Sequence, residues 1–373
     1  MTPRPQHGPQ YSDLSRIAME RARTAREAVE IVGRLIDEYG YSTYGGNSHM
    51  FADPSECWVL INFAGGKGLW VAERIGPDDV RVSYPGYIEE IPENYREHPD
   101  FMGSDNLISF AVEQGWYDPD SGEPFNVHEV YGTQGVPARD PGAKFMSQRQ
   151  IEEEFRALAP VSADEMMTMV RDRRIADDEA GYGQVAELRE GAPPELALLW
   201  VVPTGSVTAP FIPWRIGVQE VPPEFGQHRY LTKGAASTFL DPEFQAQEAT
   251  QFAGRLFKRL MYYTCEHPQE FLPEVTEALE AFEAKLQDEQ GMVEATALSL
   301  LESGEDDLAK RYLTFYANTK AMDGLRLGEA LLAGIEARTR AIHGIRKPST
   351  DEINSQGGET VNCLVGKDPD RPS

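Results

Sequence analysis

Few residues of this chain are spaced for local chemistry, and those that could react are scattered. Gly65-Gly66-Lys67-Gly68 lacks the G-x-x-x-x-G-K-[ST] spacing of a phosphate-binding loop. It falls between two apolar runs and reads as a hairpin turn. Asp118 to Glu123, DPDSGE, has the outline of a calcium loop, but no glutamate follows at the twelfth position, so a Pro-Asp-Gly turn is the reading. The 7 histidines are dispersed, and none pairs at i, i+4 with a glutamate as a zinc-binding helix needs. No metal and no cofactor is expected. There is no G-x-S-x-G elbow to carry a serine nucleophile. Cys57 lies in an apolar run beside Trp58 and reads as a buried structural thiol; Cys265, late in a helical stretch, takes the same reading. The tail GGETVNCLVGKDPDRPS, residues 357–373, is the exception. It turns apolar over Val361 to Val365, with Thr360 and Cys363, two hydroxyl- and thiol-bearing side chains, in or beside the strand-like run.

The elements that would position such residues follow from periodicity. Residues 1–11 are rich in Pro and Gln and read as loose. Tyr11 to Gly40 reads as two helices. Thr24 and Glu27 form a capping box at the start of the second, Val29, Val32, Leu35 and Ile36 give it one apolar face, and Gly40 ends it. Runs at 57–64, 68–76 and 80–84 predict a three-stranded antiparallel meander. Residues 85–145 read as surface connections around a short helix at 106–115. Capped helices are expected after Ser147 and at Ser162 to Glu165, then strands at 183–190 and 196–203. From Asp241-Pro242, an N-cap followed by proline at the first helical position, the chain is helical to Gly344. A flexible linker follows from Lys347. Strands first and helices later give an α+β class.

Composition narrows the function classes. Hydrophobic residues at 40% and aromatics at 10% are enough for a sizeable core. A net charge of −26 argues against nucleic acid as the main partner, since phosphate binding needs clustered Lys and Arg. No apolar run is long enough to span a membrane, and the first ten residues lack a signal-peptide core. The 3 cysteines form neither a disulfide framework nor a metal knuckle, so a cytoplasmic, reduced protein is expected.

Several blocks in series resemble one family. SRIAMERARTAREAVEIVGRLIDEYG, then GGNSHMFADPSECWVL, LWVAERI and NLISFAVEQGWYDPDSGEPF are similar to the dipeptidase A and secernin family of N-terminal-nucleophile hydrolases. So is residues 185–225, with its Pro-Trp-x-x-Gly-Val element at Pro213 to Val218. The resemblance runs from about residue 14 to 230. It implies a four-layer sandwich of two antiparallel sheets with helices outside, here with an additional helical C-terminal region. The expected domains are 1–240 for most of the sandwich, 241–346 for helices packed on it, and 347–373 for linker and a nucleophile-bearing strand.

The resemblance also implies the chemistry. The family's mature chain opens with a nucleophile, normally cysteine, whose own α-amine serves as base. Backbone and side-chain donors hold the oxyanion. In this chain the leading strands would have to precede Tyr11, where only ten residues stand. The family's asparagine donor after the VAERI strand is replaced by Ser83-Tyr84-Pro85-Gly86, in which Pro85 has no N–H. The family's mature start, C-x-x-L-x-V-G-K-D, resembles T-V-N-C-L-V-G-K-D at 360–368. Aligned on VGKD, the nucleophile falls on Thr360, with Cys363 as the rival assignment. Cleavage between Glu359 and Thr360 would expose the amine. Arg174, where the family keeps a similar arginine, either orients a substrate carboxylate by bidentate pairing or is a surface residue. Trp214 and Arg215 either line the pocket or, for the tryptophan, belong to the core. The expected activity is hydrolysis of a small peptide or amide C–N bond after autoprocessing. The alternative is a non-catalytic subunit. In either case a second chain or segment would supply the missing strands, making a heteromer.

Overall fold

The computed structural model describes residues 7–43, 45–76, 78–82, 88–132, 148–172, 176, 182–226 and 251–344. Its class is α+β, with helices and small antiparallel sheets. The chain divides into two compact units, Met1–Pro160 and Val161–Ser373. The expected boundary at Asp241 lies outside the described residues.

In the first unit, α1 (Tyr11–Arg21) and α2 (Ala25–Tyr39) precede a sheet of β1 (Gly46–Ala52), β2 (Cys57–Phe63), β3 (Trp70–Ile75) and β5 (Phe101–Gly103), in the order β1-β2-β3-β5. A two-stranded pair, β4 (Glu90–Ile91) and β6 (Phe125–Asn126), stands apart. The helices α3 (Leu107–Glu113), α4 (Val127–Tyr131) and α5 (Gln148–Ala157) complete the unit. Thr24 caps α2, its Oγ1 accepting from the Glu27 N–H at 3.1 Å. The returning Glu27 carboxylate accepts from Arg23 N–H at 2.8 Å, one residue before the box position.

β2 is apolar from Cys57 to Ile61 because both of its faces are covered. Trp58 and Leu60 join the core under α1 and α2, whereas Val59 and Ile61 join a second core with Ile88, Leu107, Phe125 and Val127. The β2–β3 turn is where the glycines predicted it. Gly65, Gly66 and Gly68 all have φ between +63° and +121°, and Phe63 N–H closes the turn on Leu69 O at 3.0 Å. The meander itself is displaced. Its members are β1, β2 and β3, while Val80 to Val82 form no strand. β1, GNSHMFA, is too polar to read as a strand and is held by its full register against β2, from Gly46 opposite Phe63 to Ala52 opposite Cys57.

In the second unit, α6 (Ala163–Arg171) leads to an antiparallel sheet β7-β8-β9, built from Gly183–Glu187, Leu198–Val202 and Ile212–Arg215. The expected capping box at α6 is present, with Ser162 Oγ accepting from Glu165 N–H and the Glu165 carboxylate accepting from Ser162 N–H. A short helix α7 (Pro223–Gly226) follows β9. Three long helices come next: α8 (Ala253–Glu266), α9 (Pro268–Glu302) and α10 (Asp306–Ile342). Trp200, Phe211, Ile212, Phe257, Phe271, Leu279 and Leu325 share one core. β9 was missed from sequence because it is only four residues long and carries Pro213. No helix among the described residues is long and apolar enough to cross a membrane.

Candidate active site

Thr360, Cys363, Arg174 and the segment 83–86 with Pro85 lie outside the described residues. Trp214 and Arg215 are placed, both on β9. Trp214 is half-buried against the core, its ring 6.1 Å from Phe225. The Arg215 side chain is only 2% exposed. Its Nη1 donates to Gln290 Oε1 at 2.8 Å, and Nη2 stands 3.9 Å from Glu294 Oε2. Neither Nε nor Nη2 has a hydrogen-bond acceptor among the described residues. Glu294 is shared: its Oε1 accepts from Arg189 Nη1 at 2.7 Å, and its Oε2 is the oxygen that faces Arg215. Burial pulls the Arg215 pKa below its ordinary value, against the opposing pull of Glu294. Around it, Gln290 Nε2 donates to Tyr316 OH at 3.0 Å, and Tyr316 OH donates to Glu289, which also holds Lys320. The guanidinium is therefore fixed in place with donors to spare, an arrangement suited to a carboxylate.

Arg171 shows what a buried arginine looks like when it is satisfied. Nη1 meets Glu283 Oε2 at 3.0 Å, Nη2 meets Oε1 at 2.5 Å, and Nε donates to Ser206 O at 3.1 Å. Glu283 Oε1 also accepts from Phe211 N–H at 2.7 Å. Burial raises the Glu283 pKa, and Arg171 opposes the rise. This pair fastens the buried segment 204–211 that delivers β9; it anchors the site and leaves no group free for chemistry.

In the first unit a second polar cluster sits where the chain leaves β3 toward 83–86. Arg81 grips Glu73 bidentately, at 2.8 and 3.1 Å, and Glu152 of α5 accepts from Val82 N–H at 3.0 Å while lying 3.8 Å from Arg81 Nε. Burial raises the Glu73 pKa against the pull of Arg81. Sequence reading passed over these residues. The available signal was Glu73-Arg74 inside an otherwise apolar strand.

Cys57, the free thiol among the described residues, is half-buried where a buried thiol was expected, and burial pushes its pKa up. Cys265, on α8, is buried as expected.

A Ser–His contact also went unread. Ser15 Oγ is 3.1 Å from His49 Nδ1, and Asn47 Nδ2 is 3.1 Å from His49 Nε2. An amide nitrogen only donates, so Nε2 accepts and Nδ1 carries the proton. Ser15 then receives a hydrogen bond from the ring and gives its own proton to Tyr11 O at 3.0 Å. The ring is no base toward this serine, and the contact is structural. Among the described residues no group of three or more His, Cys, Asp or Glu side chains could hold a metal ion.

Comparison with known proteins bears on this geometry. Residues 3–155 match peptidase family C69. The chain is 31% identical over 119 residues to a probable dipeptidase of Salmonella dublin, covering 32% of this chain and 26% of that protein. It is 29% identical over 127 residues to a dipeptidase of Bifidobacterium longum, covering 32% and 23%. With a probable dipeptidase B of Lactococcus lactis it shares 30% over 139 residues, covering 36% and 28%. The chain thus spans about a quarter of the length of these relatives. The match bears out the family resemblance over its first blocks, while the 185–225 block lies beyond residue 155.

Proposed function

From the premise that the chain belongs, through residues 3–155, to peptidase family C69, we propose that it acts in hydrolysis of a small peptide or amide bond by an N-terminal nucleophile. The family match and the dipeptidase names of its relatives carry this reading. In it, cleavage before Thr360 frees an α-amine that takes the hydroxyl proton as the oxygen attacks the carbonyl, and the acyl-enzyme is then hydrolysed. Cys363 is the rival nucleophile. Arg215, whose Nε and Nη2 lack acceptors among the described residues, takes the substrate carboxylate, with Trp214 beside it and Arg174 as a second cation. The four-layer sandwich, completed by strands from another segment or chain, frames the site.

The test is hydrolysis of a dipeptide panel followed by mass spectrometry, together with the intact mass of the purified protein. A fragment beginning at Thr360, with activity abolished in Thr360→Ala, supports the reading. A fragment beginning at Cys363 moves the nucleophile there. An active protein with an intact tail sinks the N-terminal-nucleophile mechanism. A processed but inactive protein favours the non-catalytic subunit.

A further inference from the structure

Arg215 lacks acceptors along one particular edge. Nε and Nη2 are its donors without a hydrogen-bond acceptor among the described residues, whereas Nη1 is satisfied by Gln290 at 2.8 Å. In a guanidinium the Nε–H and the neighbouring Nη2–H run parallel, and together they form the fork that meets both oxygens of a carboxylate. The edge left open is thus the one that grips a carboxylate side-on. Gln290 does not neutralise the charge. Its Nε2 donates to Leu286 O at 2.6 Å and to Tyr316 OH at 3.0 Å, so the amide is held with its neutral carbonyl toward Arg215.

The nearest carboxylate is kept off this edge. Glu294, on α9, places Oε2 3.9 Å from Arg215 Nη2, about 1 Å beyond hydrogen-bond distance. Its Oε1 accepts from Arg189 Nη1 at 2.7 Å. Arg189 stands just past β7, and its side chain is 38% exposed against 2% for Arg215. The hydrogen bond from Glu294 raises the Arg189 pKa, while burial lowers that of Arg215 in spite of Glu294. Arg189 therefore competes for the carboxylate that Arg215 lacks, and holds it by the shorter contact. An exposed pair is worth little by itself, whereas an anion on a sealed guanidinium offsets part of a large desolvation cost. Freed from Arg189, Glu294 has only a short way to travel to fill the open edge.

We infer that Arg189 is a positioning residue that holds Glu294 off the Nε–Nη2 edge of Arg215 and so keeps that edge free for the carboxylate of an incoming molecule. The inference rests on the proposed role of Arg215 in holding a substrate carboxylate, and adds to it a competitor within the fold: when Arg189 releases Glu294, the edge is filled from inside and the ligand is excluded.

Acetate tests this without depending on turnover. The Nε–H resonance of Arg215 in the nitrogen-15-labelled full chain, assigned by its loss in Arg215→Met, is followed as acetate is added at constant ionic strength, with acetamide as the neutral control. Acetate moves the wild-type resonance and acetamide does not. Arg189→Met weakens acetate binding about tenfold as Glu294 closes on the fork, and raises KM for dipeptides more than it changes kcat. Glu294→Gln added to Arg189→Met restores acetate binding, because an amide does not compete as an anion. A wild-type resonance indifferent to acetate overturns the carboxylate role of Arg215 and the inference with it. Acetate binding that is intact in Arg189→Met, or that the double variant fails to restore, overturns the inference alone.

Discussion

His49 makes a quantitative prediction about acid stability. Its ring is 5% exposed, held between Ser15 and Asn47 and stacked on Phe51 with ring centroids 5.9 Å apart. Burial lowers its pKa from 6.5 to about 4. The unfolded chain therefore binds a proton that the folded chain refuses. The neutral ring's contribution is intact above pH 6.5, is lost as pH falls from 6.5 toward 4, and changes no further below that. With folded and unfolded values of 4 and 6.5, the first unit loses about 2 kcal/mol between pH 7 and pH 5 and about 3 kcal/mol by pH 4 from this one group.

Other acidic groups also titrate in this range, so the measurement is a difference. His49→Gln removes the titration and keeps a polar side chain. Urea unfolding followed by tryptophan fluorescence, from pH 5 to 8, gives the gap between wild type and variant. At pH 7 to 8 the wild type is the more stable, because the ring packs on Phe51. At pH 5 the gap closes by about 2 kcal/mol. For an m-value of about 2 kcal/mol/M this moves the relative midpoints by about 1 M urea. Should the gap stay constant within about 0.5 kcal/mol, a margin well inside the predicted closure, then His49 is not a buried neutral ring and the argument from its hydrogen-bond geometry fails with it.

Two further perturbations read the packing. A Cβ on Gly33 would lie 2.3 Å from the Trp70 ring, whose Nε1 is tied to Asp37 at 2.8 Å, so Gly33→Ala destabilises the first unit by about 2 kcal/mol in thermal or urea unfolding; an unchanged midpoint would show that α2 does not seat on β3 as closely as described. Glu283→Ala leaves Arg171 buried and unpaired and costs about 3–5 kcal/mol in the second unit, whereas Arg171→Met combined with Glu283→Leu recovers most of it, because an apolar pair removes the desolvation penalty on both sides.

What the sequence disclosed follows from which forces act locally. The caps at Thr24 and Ser162 and the glycine turn at 65–68 are short-range, and all were legible. β2 was legible because an apolar run covered on both faces needs no partner to identify it. β1 and β9 were not. The first is polar and exists through pairing with β2; the second is short and contains a proline, and exists through pairing with β8. The same division holds for the site. Trp214 and Arg215 were singled out as candidates through a family motif. The Glu73–Arg81–Glu152 cluster joins residues 8 and 70 or more positions apart and has no local pattern.

The two buried arginines of the second unit show why satisfaction, more than burial, separates anchor from site. Both side chains are nearly sealed, at 6% exposure for Arg171 and 2% for Arg215. Removing a guanidinium from water costs several kcal/mol, and only close, well-aligned acceptors offset it. Arg171 has two carboxylate oxygens within 3.0 Å and a carbonyl at 3.1 Å, so its burial is compensated within the fold. Arg215 has one neutral acceptor and, at 3.9 Å, one oxygen of a carboxylate that it shares with Arg189. A fold under selection for stability alone would replace such a residue by an apolar one. Its presence on β9, two positions after Pro213, is what the proposed role in holding a substrate carboxylate would account for. On that argument Arg215→Met should leave the second unit as stable as before, or more so, while raising KM for dipeptides and sparing the turnover of amides without a carboxylate. A loss of stability with no change in KM would instead make Arg215 an anchor like Arg171.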